Sequence, residues 1–458
     1  MRPPMLAAPL LLFSAALGLG DEVDDLVRER MAREKIPGLT LAVVRGGKVV
    51  RSAGYGVASA ELPAPATADT VYEIGSITKP FTAMLVLMLV EEGKVKLDES
   101  VTTYVPKLPE AWKPVTVKHL LNHTSGLPIY TAATDFLKLA REEHTRAQIL
   151  KLVADKPPEF PPGTAWKYNN TGYFLLGMLI EEVTGRTYGE IIKDRITGPL
   201  KMDATRPDNP RAVVAGRARG HGLLLGTTVN RDPITTSSSF AAGCLLSTVG
   251  DLAKYDAALK EGRFLKPSSY EMMYEPTKLP GGKSHPYGFG WITETTDGKR
   301  LYAHDGGTPG FATALHRHVD DDLTVIVLTN LADARAGGIA EAVARQVVSP
   351  PAAKPSKDDD PALTARHKAM FAQVLEGKVE AETFTPKMAE FLKTAAPQQI
   401  MKEIAAEGKS GAFDLLQRVA EGGTKSVYRA AVGPSAYRIT VHADEAGKVD
   451  SLLAQKED

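Results

Sequence analysis

Thiol chemistry is almost missing from this chain: its 458 residues include one cysteine, Cys244. A lone cysteine cannot close an internal disulfide, and it excludes Cys-rich zinc and iron–sulfur centres. Net charge is missing too, with 55 Lys and Arg against 55 Asp and Glu. That balance argues against a basic surface for nucleic acid or another polyanion. Beyond the first twenty residues no uncharged run approaches a bilayer span. There is no internal repeat and no Walker-type phosphate loop. What is present, 43% hydrophobic and 24% charged residues, is ordinary globular chemistry held by packing alone. The length suits two to three domains, or one large domain with an appendage.

Residues 1–20 read MRPPMLAAPLLLFSAALGLG. Arg2 precedes the uncharged run Met5–Leu19, and the small residues Ala16, Gly18 and Gly20 could serve a cleavage site. This is the anatomy of an export signal. The run is about 15 residues, short of the roughly 20 that a membrane-spanning helix needs. The expectation is a periplasmic or extracellular protein with no stable membrane anchor once the signal is cleaved.

Periodicity then predicts a helix over Asp21–Glu34, stopped by Ile36-Pro37-Gly38. Leu39–Val44 and Lys48–Ser52 flank Gly46-Gly47, a β-hairpin signal, and Gly54–Ala58 is a third extended segment. A helix from Ser76 to about Glu92, closed by Gly93, is apolar all round between Phe81 and Val90, as buried helices are. Residues 96–240 are rich in helices and loops, with candidate helices at Lys118–Asn122, Asp135–Glu143, Arg146–Ala154, Thr171–Thr184 and Tyr188–Ile196. Thr248 to Asp251 has the form of a capping box. Strand patterns return at Gly290–Thr295, Arg300–His304, Ala312–Val319 and Leu323–Thr329, before a helix over Ala334–Val348. Strands that bracket a helical insertion imply an α+β fold with an antiparallel sheet. Residues 349–361 hold four prolines and three consecutive aspartates and read as a linker. Beyond it, helical segments within Ala362–Val419 and short strands at Tyr428–Val432, Ala436–His442 and Val449–Leu453 suggest a small α+β domain over 362–458.

Three short motifs could carry chemistry. Gly75-Ser76-Ile77-Thr78-Lys79-Pro80 puts Ser76 and Lys79 three residues apart on one face at a helix start. A serine hydroxyl becomes a nucleophile when a base takes its proton, and a lysine can be that base if burial lowers its pKa. Alone the tetrad also suits a capping serine and a solvated lysine. Tyr168 and Asn170 form Tyr-x-Asn just before an apolar helix. A phenol beside an ammonium can be drawn toward phenolate and act as a base; the plainer reading is a packed tyrosine and Asn170 as the N-cap. His304-Asp305-Gly306-Gly307 lies on a late strand, where backbone N–H groups could stabilise an oxyanion. There His304 could pair with a substrate carboxylate or polar group, or simply sit exposed in a glycine-rich turn. His119 and His123 have metal-compatible spacing, but the glutamate of His-Glu-x-x-His is absent. A packing role suits them, and no metal site is expected.

The order Ser-x-x-Lys, Tyr-x-Asn, His-x-Gly resembles the serine β-lactamase-related family of class C β-lactamases, penicillin-binding DD-carboxypeptidases, D-aminopeptidases and esterases. Ile36 to Lys48 is similar to the family's opening hairpin, and His119-Leu-Leu-Asn-His-Thr-Ser-Gly-Leu127 to its helix-to-loop block. Pro162 to Gly185, Ala242-Gly-Cys-Leu-Leu-Ser-Thr and Tyr287-Gly-Phe-Gly-Trp291 fit later blocks, so the likeness runs over about residues 22–348. It implies a β-lactamase/transpeptidase-like catalytic domain over 21–348, with the helical lobe at about 96–240. It further implies Ser76 as acylated nucleophile, Lys79 as its base partner and Tyr168 as base or proton shuttle. Asn170 would orient substrate and Lys79, and His304, Gly306 and Gly307 would line the substrate and oxyanion side.

Two departures stand out. His304 occupies the place where many β-lactamases have a lysine, which puts efficient β-lactamase activity in doubt. Cys244 sits where glycine is common, and reads as a buried small residue. No cofactor is implied. The expected activity is hydrolysis of an amide or ester in a small molecule or peptide through an acyl-enzyme. The alternative is a penicillin-binding sensor of the same fold with poor turnover.

Overall fold

The computed structural model describes residues 19–458 except 63, 134–135, 137–139, 210, 297, 349–357, 421–422 and 458. Nearly all of the expected export signal, most of the linker and four of the nine residues of the helix expected at Asp135–Glu143 lie outside the described residues, and residues 140–143 are turn and loop, not helix. The chain divides into two compact units, residues 1–348 and 349–458. Among the described residues no helix is long and apolar enough to cross a membrane.

The first unit is built on a six-stranded antiparallel sheet that joins both ends of its sequence. Helix α1 (Leu19–Glu34) leads into β1 (Gly38–Arg45) and β2 (Lys48–Gly56). Gly46 and Gly47 turn this hairpin with φ of 62° and 73°, the doubly left-handed conformation that a two-residue turn matched to strand twist requires. The third extended segment expected at Gly54–Ala58 is largely the end of β2, not a separate strand. Far along the chain come β3 (Ile292–Thr296), β4 (Lys299–Thr308), β5 (Phe311–His318) and β6 (Leu323–Thr329). The order across the sheet is β3-β4-β5-β6-β1-β2. Strands β5 and β6 therefore lie at its centre, with β1 paired to the other side of β6, and all seven residues of β6 are buried. Both faces are covered. Leu39, Leu41, Val325 and Val327 pack with Val27 of α1 and with Ile339 and Val343 of the helix Ala336–Val348. Ala42, Val44, Ile326 and Leu328 face the helical lobe.

Two helices, one before the lobe and one within it, position the Ser-x-x-Lys and Tyr-x-Asn motifs. Helix α2 (Thr78–Glu91) is buried over eleven of its fourteen residues, which explains its unbroken apolar composition. Helix α3 (Asn170–Thr184) packs on α2 and ends at Gly185, whose φ of 65° forms a left-handed C-cap. The expected capping box at Thr248 is only half formed. Thr248 accepts the Asp251 N–H, but the Asp251 carboxylate accepts from the backbone of Ala204 and Thr205 instead of reaching back.

The second unit places α4 (Pro361–Leu375), α5 (Pro386–Leu392) and α6 (Ala395–Ala406) ahead of a four-stranded antiparallel meander. Its strands are β7 (Ser410–Ala420), β8 (Thr424–Val432), β9 (Ser435–Ala443) and β10 (Val449–Glu457). Here β7 corrects the expectation that helical segments run to Val419. Its Leu415 pairs across the sheet with Tyr428, a partner the local apolar pattern does not reveal.

Candidate active site

Gly75, with φ of 51°, turns the chain from a short strand (Tyr72–Glu73) into α2. A β-carbon on Gly75 would lie 2.7 Å from the Gly307 nitrogen, and one on Gly306 would lie 2.0 Å from the Ile74 carbonyl oxygen. Glycine at both places lets β4 run flush against the start of α2. Ser76 sits in the tight turn at the helix entry, and Lys79 follows one helical turn later, fully buried.

Lys79 Nζ has three partners, each at 2.9 Å: Ser76 Oγ, Asn170 Oδ1 and the Ala242 carbonyl oxygen. Its ammonium form has no carboxylate among these partners. Burial pushes the Lys79 pKa well below the ordinary lysine value, because a low-dielectric site disfavours the charged form. Asn170 Oδ1 and the Ala242 oxygen can only accept. As an ammonium, Lys79 donates to all three partners; once it loses a proton, the two acceptor-only groups keep its N–H bonds and the lone pair falls to the Ser76 hydroxyl.

The plainer reading made Asn170 the cap of α3. The cap is its neighbour Asn169, whose side chain accepts the Gly172 N–H. That leaves Asn170 Nδ2 to donate to Thr131 Oγ1, so that Oδ1 faces Lys79. The Ala242 carbonyl owes its freedom to a kink. Phe240 has φ of 36° inside the helix Thr236–Gly243, a conformation costly for a non-glycine residue. The carbonyls after it point at α2, where Ala241 accepts from Thr82 and Ala242 accepts from Lys79.

Tyr168 completes this group. It shares a hydrogen bond with Ser76, and its ring lies 4.7 Å beneath Lys79 Nζ. Burial raises its pKa, only partly offset by the Ser76 contact. The free site thus holds a neutral phenol, which departs from the expectation of a phenolate drawn out by an ammonium. Burial penalises the charged form of each.

His304 lies one step further out. Its Nδ1–H donates to the Asp305 carbonyl at 2.6 Å, and its Nε2 accepts from the Tyr287 hydroxyl at 3.0 Å. Burial first, and Lys79 second, push its pKa down to about 3. It is a neutral imidazole with both nitrogens used, not a cation for a carboxylate, and not the exposed residue of a glycine-rich turn. The structure thus brings Ser76, Lys79, Asn170 and Tyr168 into direct contact and sets the Gly307 backbone against Gly75. His304 is tied instead to Tyr287. Cys244 is buried, and burial pushes its thiol up to about 12.

Tyr168 and His304 share a cavity of about 380 Å³ with neighbours that sequence reasoning did not assign to the site, among them Trp166, His285, Tyr287, Ile292 and Glu294. Trp166 stacks on His285 with ring centres 3.6 Å apart. The aromatic spacing around Tyr168 and Tyr287 was the available signal, but only the fold brings residues 166 and 285 together.

The comparisons with known proteins fall on the same unit. The Beta-lactamase family model matches residues 23–348. Penicillin-binding protein 4* of Bacillus subtilis (strain 168) is 31% identical over 310 residues, covering 64% of this chain and 67% of that protein. Another relative, the protein flp of Staphylococcus aureus (strain MW2), is 24% identical, and the match covers 72% of this chain and 66% of flp. The octameric penicillin-binding protein homologue from Pyrococcus abyssi superposes with a TM-score of 0.65 at 26% identity, over 96% of each chain. The D-amino acid amidase from Ochrobactrum anthropi SV3 gives 0.63 at 27% identity, over 72% of this chain and 98% of that one. With the match spanning the sheet, the helical lobe and the Ser76–Lys79 turn alike, this chain belongs to the β-lactamase family of serine hydrolases.

Proposed function

We propose that this protein hydrolyses an amide or ester through an acyl-enzyme on Ser76. The observation that carries this reading is the set of partners at Lys79: a buried amine with two acceptor-only groups and the serine at 2.9 Å, and no carboxylate, so that a neutral Lys79 would turn its lone pair to the serine. In the first step Ser76 Oγ attacks the carbonyl carbon while Lys79 takes the hydroxyl proton. The C–N or C–O bond then breaks. The leaving group receives a proton from the neutral Tyr168 phenol, which regains one from Lys79. Water next splits the ester by the reverse proton route, releasing the acid and restoring Ser76. The Ser76 and Gly307 N–H groups stabilise the oxyanion at each step.

The cavity supports a substrate without a carboxylate at that end. Its walls carry Glu294 and Asp305 but no Lys or Arg, and His304 is neutral. The solved D-amino acid amidase to which the chain is similar makes an uncharged amide of a D-amino acid the first substrate to try. Residues 1–20 are read as an export signal, which the N-terminal sequence of the mature protein tests.

Labelling with a fluorophosphonate or a fluorescent penicillin, read by intact mass, tests acylation. Wild type gains one adduct and Ser76→Ala gains none; an unlabelled, folded wild type overturns the proposal. Rates on D-phenylalanine amide, a p-nitrophenyl ester, nitrocefin and a D-Ala-D-Ala peptide, measured side by side, rank the substrates. A burst of one equivalent with no steady state would favour the sensor reading instead.

A further inference from the structure

We propose that His123 is the positioning residue for Tyr168, holding the backbone on both sides of it. This inference rests on the proton-carrying part proposed for Tyr168. His123 is buried, and its φ of 63° puts a non-glycine residue in the left-handed region. In that conformation its two acceptors face the same loop. The His123 carbonyl accepts the Lys167 N–H at 3.0 Å, and its Nδ1 accepts the Asn169 N–H at 3.2 Å. Tyr168 is the one residue between these two anchors. The imidazole also lies against the Tyr168 ring, with centres 4.4 Å apart, and against Tyr287 at 4.6 Å. A bracket of this kind fixes where the phenol stands relative to Ser76.

Two further observations fit this part. Burial, followed by Lys79, His304 and His285, drives the His123 pKa well below its ordinary value. Nδ1 therefore stays unprotonated and able to accept. Its Nε2 has no partner among the described residues. The bracket on Tyr168 thus uses Nδ1 and the carbonyl alone. The neighbouring backbone repeats the stitching, with the Gly163 N–H donating to Thr124 and the Glu159 N–H to Gly126.

Chemistry supplies a conservative variant. Asn tolerates the left-handed conformation, and its Oδ1 hangs from Cγ where His Nδ1 does. Gly tolerates that φ better still, keeps the carbonyl anchor and lacks the side-chain acceptor. In the full chain, exchange of the Asn169 amide with deuterium should stay within about threefold of wild type in His123→Asn and rise at least about tenfold in His123→Gly. On the best substrate, His123→Gly should lose about 10²-fold in kcat with KM nearly unchanged, while His123→Asn stays within about tenfold of wild type. Equal Asn169 exchange in the two folded variants, or a change in KM without kcat, overturns the proposal. Should His123→Gly not fold, exchange at Asn169 as fast in folded His123→Asn as in an unstructured chain overturns it equally. The exchange readout needs no turnover. An inactive wild type would therefore count against the Ser76 reading and leave the bracket to be judged by exchange.

Discussion

Two buried cations in the first unit are held in opposite ways. Arg317 on β5 donates from Nε to the buried Asp256 carboxylate at 2.6 Å and from Nη1 to the Tyr274 hydroxyl at 3.0 Å. Burial alone would lower its pKa, but Tyr274 and Asp256 outweigh it and hold the guanidinium charged. Lys79 is buried more deeply still, among a serine, an amide and a backbone carbonyl with no carboxylate among them, and its pKa falls. The contrast separates structure from chemistry. A buried cation with a counter-ion is a brace, whereas one given only neutral acceptors becomes a base.

The largest effect should come from making Lys79 behave like Arg317. Lys79→Arg installs a group that stays protonated in proteins. Acylation of Ser76 should fall by about 10²–10⁴-fold, the usual share of a positioned general base, as measured by the rate of adduct formation. A variant within threefold of wild type would break the comparison. Next, Arg317→Met leaves Asp256 buried and unpaired. Denaturant unfolding should report a loss of about 3–5 kcal/mol, while the acylation rate of the folded fraction stays unchanged.

A smaller effect should follow from lending Lys79 a counter-ion. Asn170→Asp keeps the shape of the side chain but adds a carboxylate at 2.9 Å from Nζ. Opposite charge at that range favours the ammonium and raises the lysine pKa. Wild-type acylation should fall as pH drops through the lowered Lys79 pKa, where the amine takes up a proton. In Asn170→Asp that acid limb should move upward, and an unmoved limb would show that Lys79 is not the titrating base.

Linkage gives the same contrast a stability readout. The folded Lys79 value lies below the unfolded one, so between the two the unfolded chain binds the extra proton. Stability therefore rises with pH across that window. The Tm of wild type relative to Lys79→Met should climb as pH approaches about 10.4, the ordinary lysine value. A matching series for Arg317→Met should stay flat there. The smallest effect expected is the loss of a helix cap in the second unit: Thr385→Ala, which removes the acceptor of the Met388 N–H at the start of α5, should cost about 1 kcal/mol and shift neither pH profile.

Much of this was legible residue by residue. The Gly46-Gly47 hairpin, the buried α2 and the three-residue spacing of Ser76 and Lys79 are local patterns, and local sterics and periodicity act within a few residues. The α+β class was legible because strand patterns bracket a helical stretch. Strand β7 was not, since the spacing of Leu415, Leu416 and Val419 suits a helix face and only pairing with β8 decides otherwise. His304 was legible as a site residue but not as a neutral one.

By itself, then, the sequence determined the elements, the Ser-x-x-Lys turn and the family likeness, all of which depend on near neighbours in the chain. Tertiary structure alone decided the protonation states. The kink at Phe240 frees the Ala242 carbonyl, the Asn169 cap releases Asn170, and the covering of α2 strips water from Lys79. Desolvation and the choice of acceptors depend on residues 91 and 163 positions away, and a base is made there by what surrounds it.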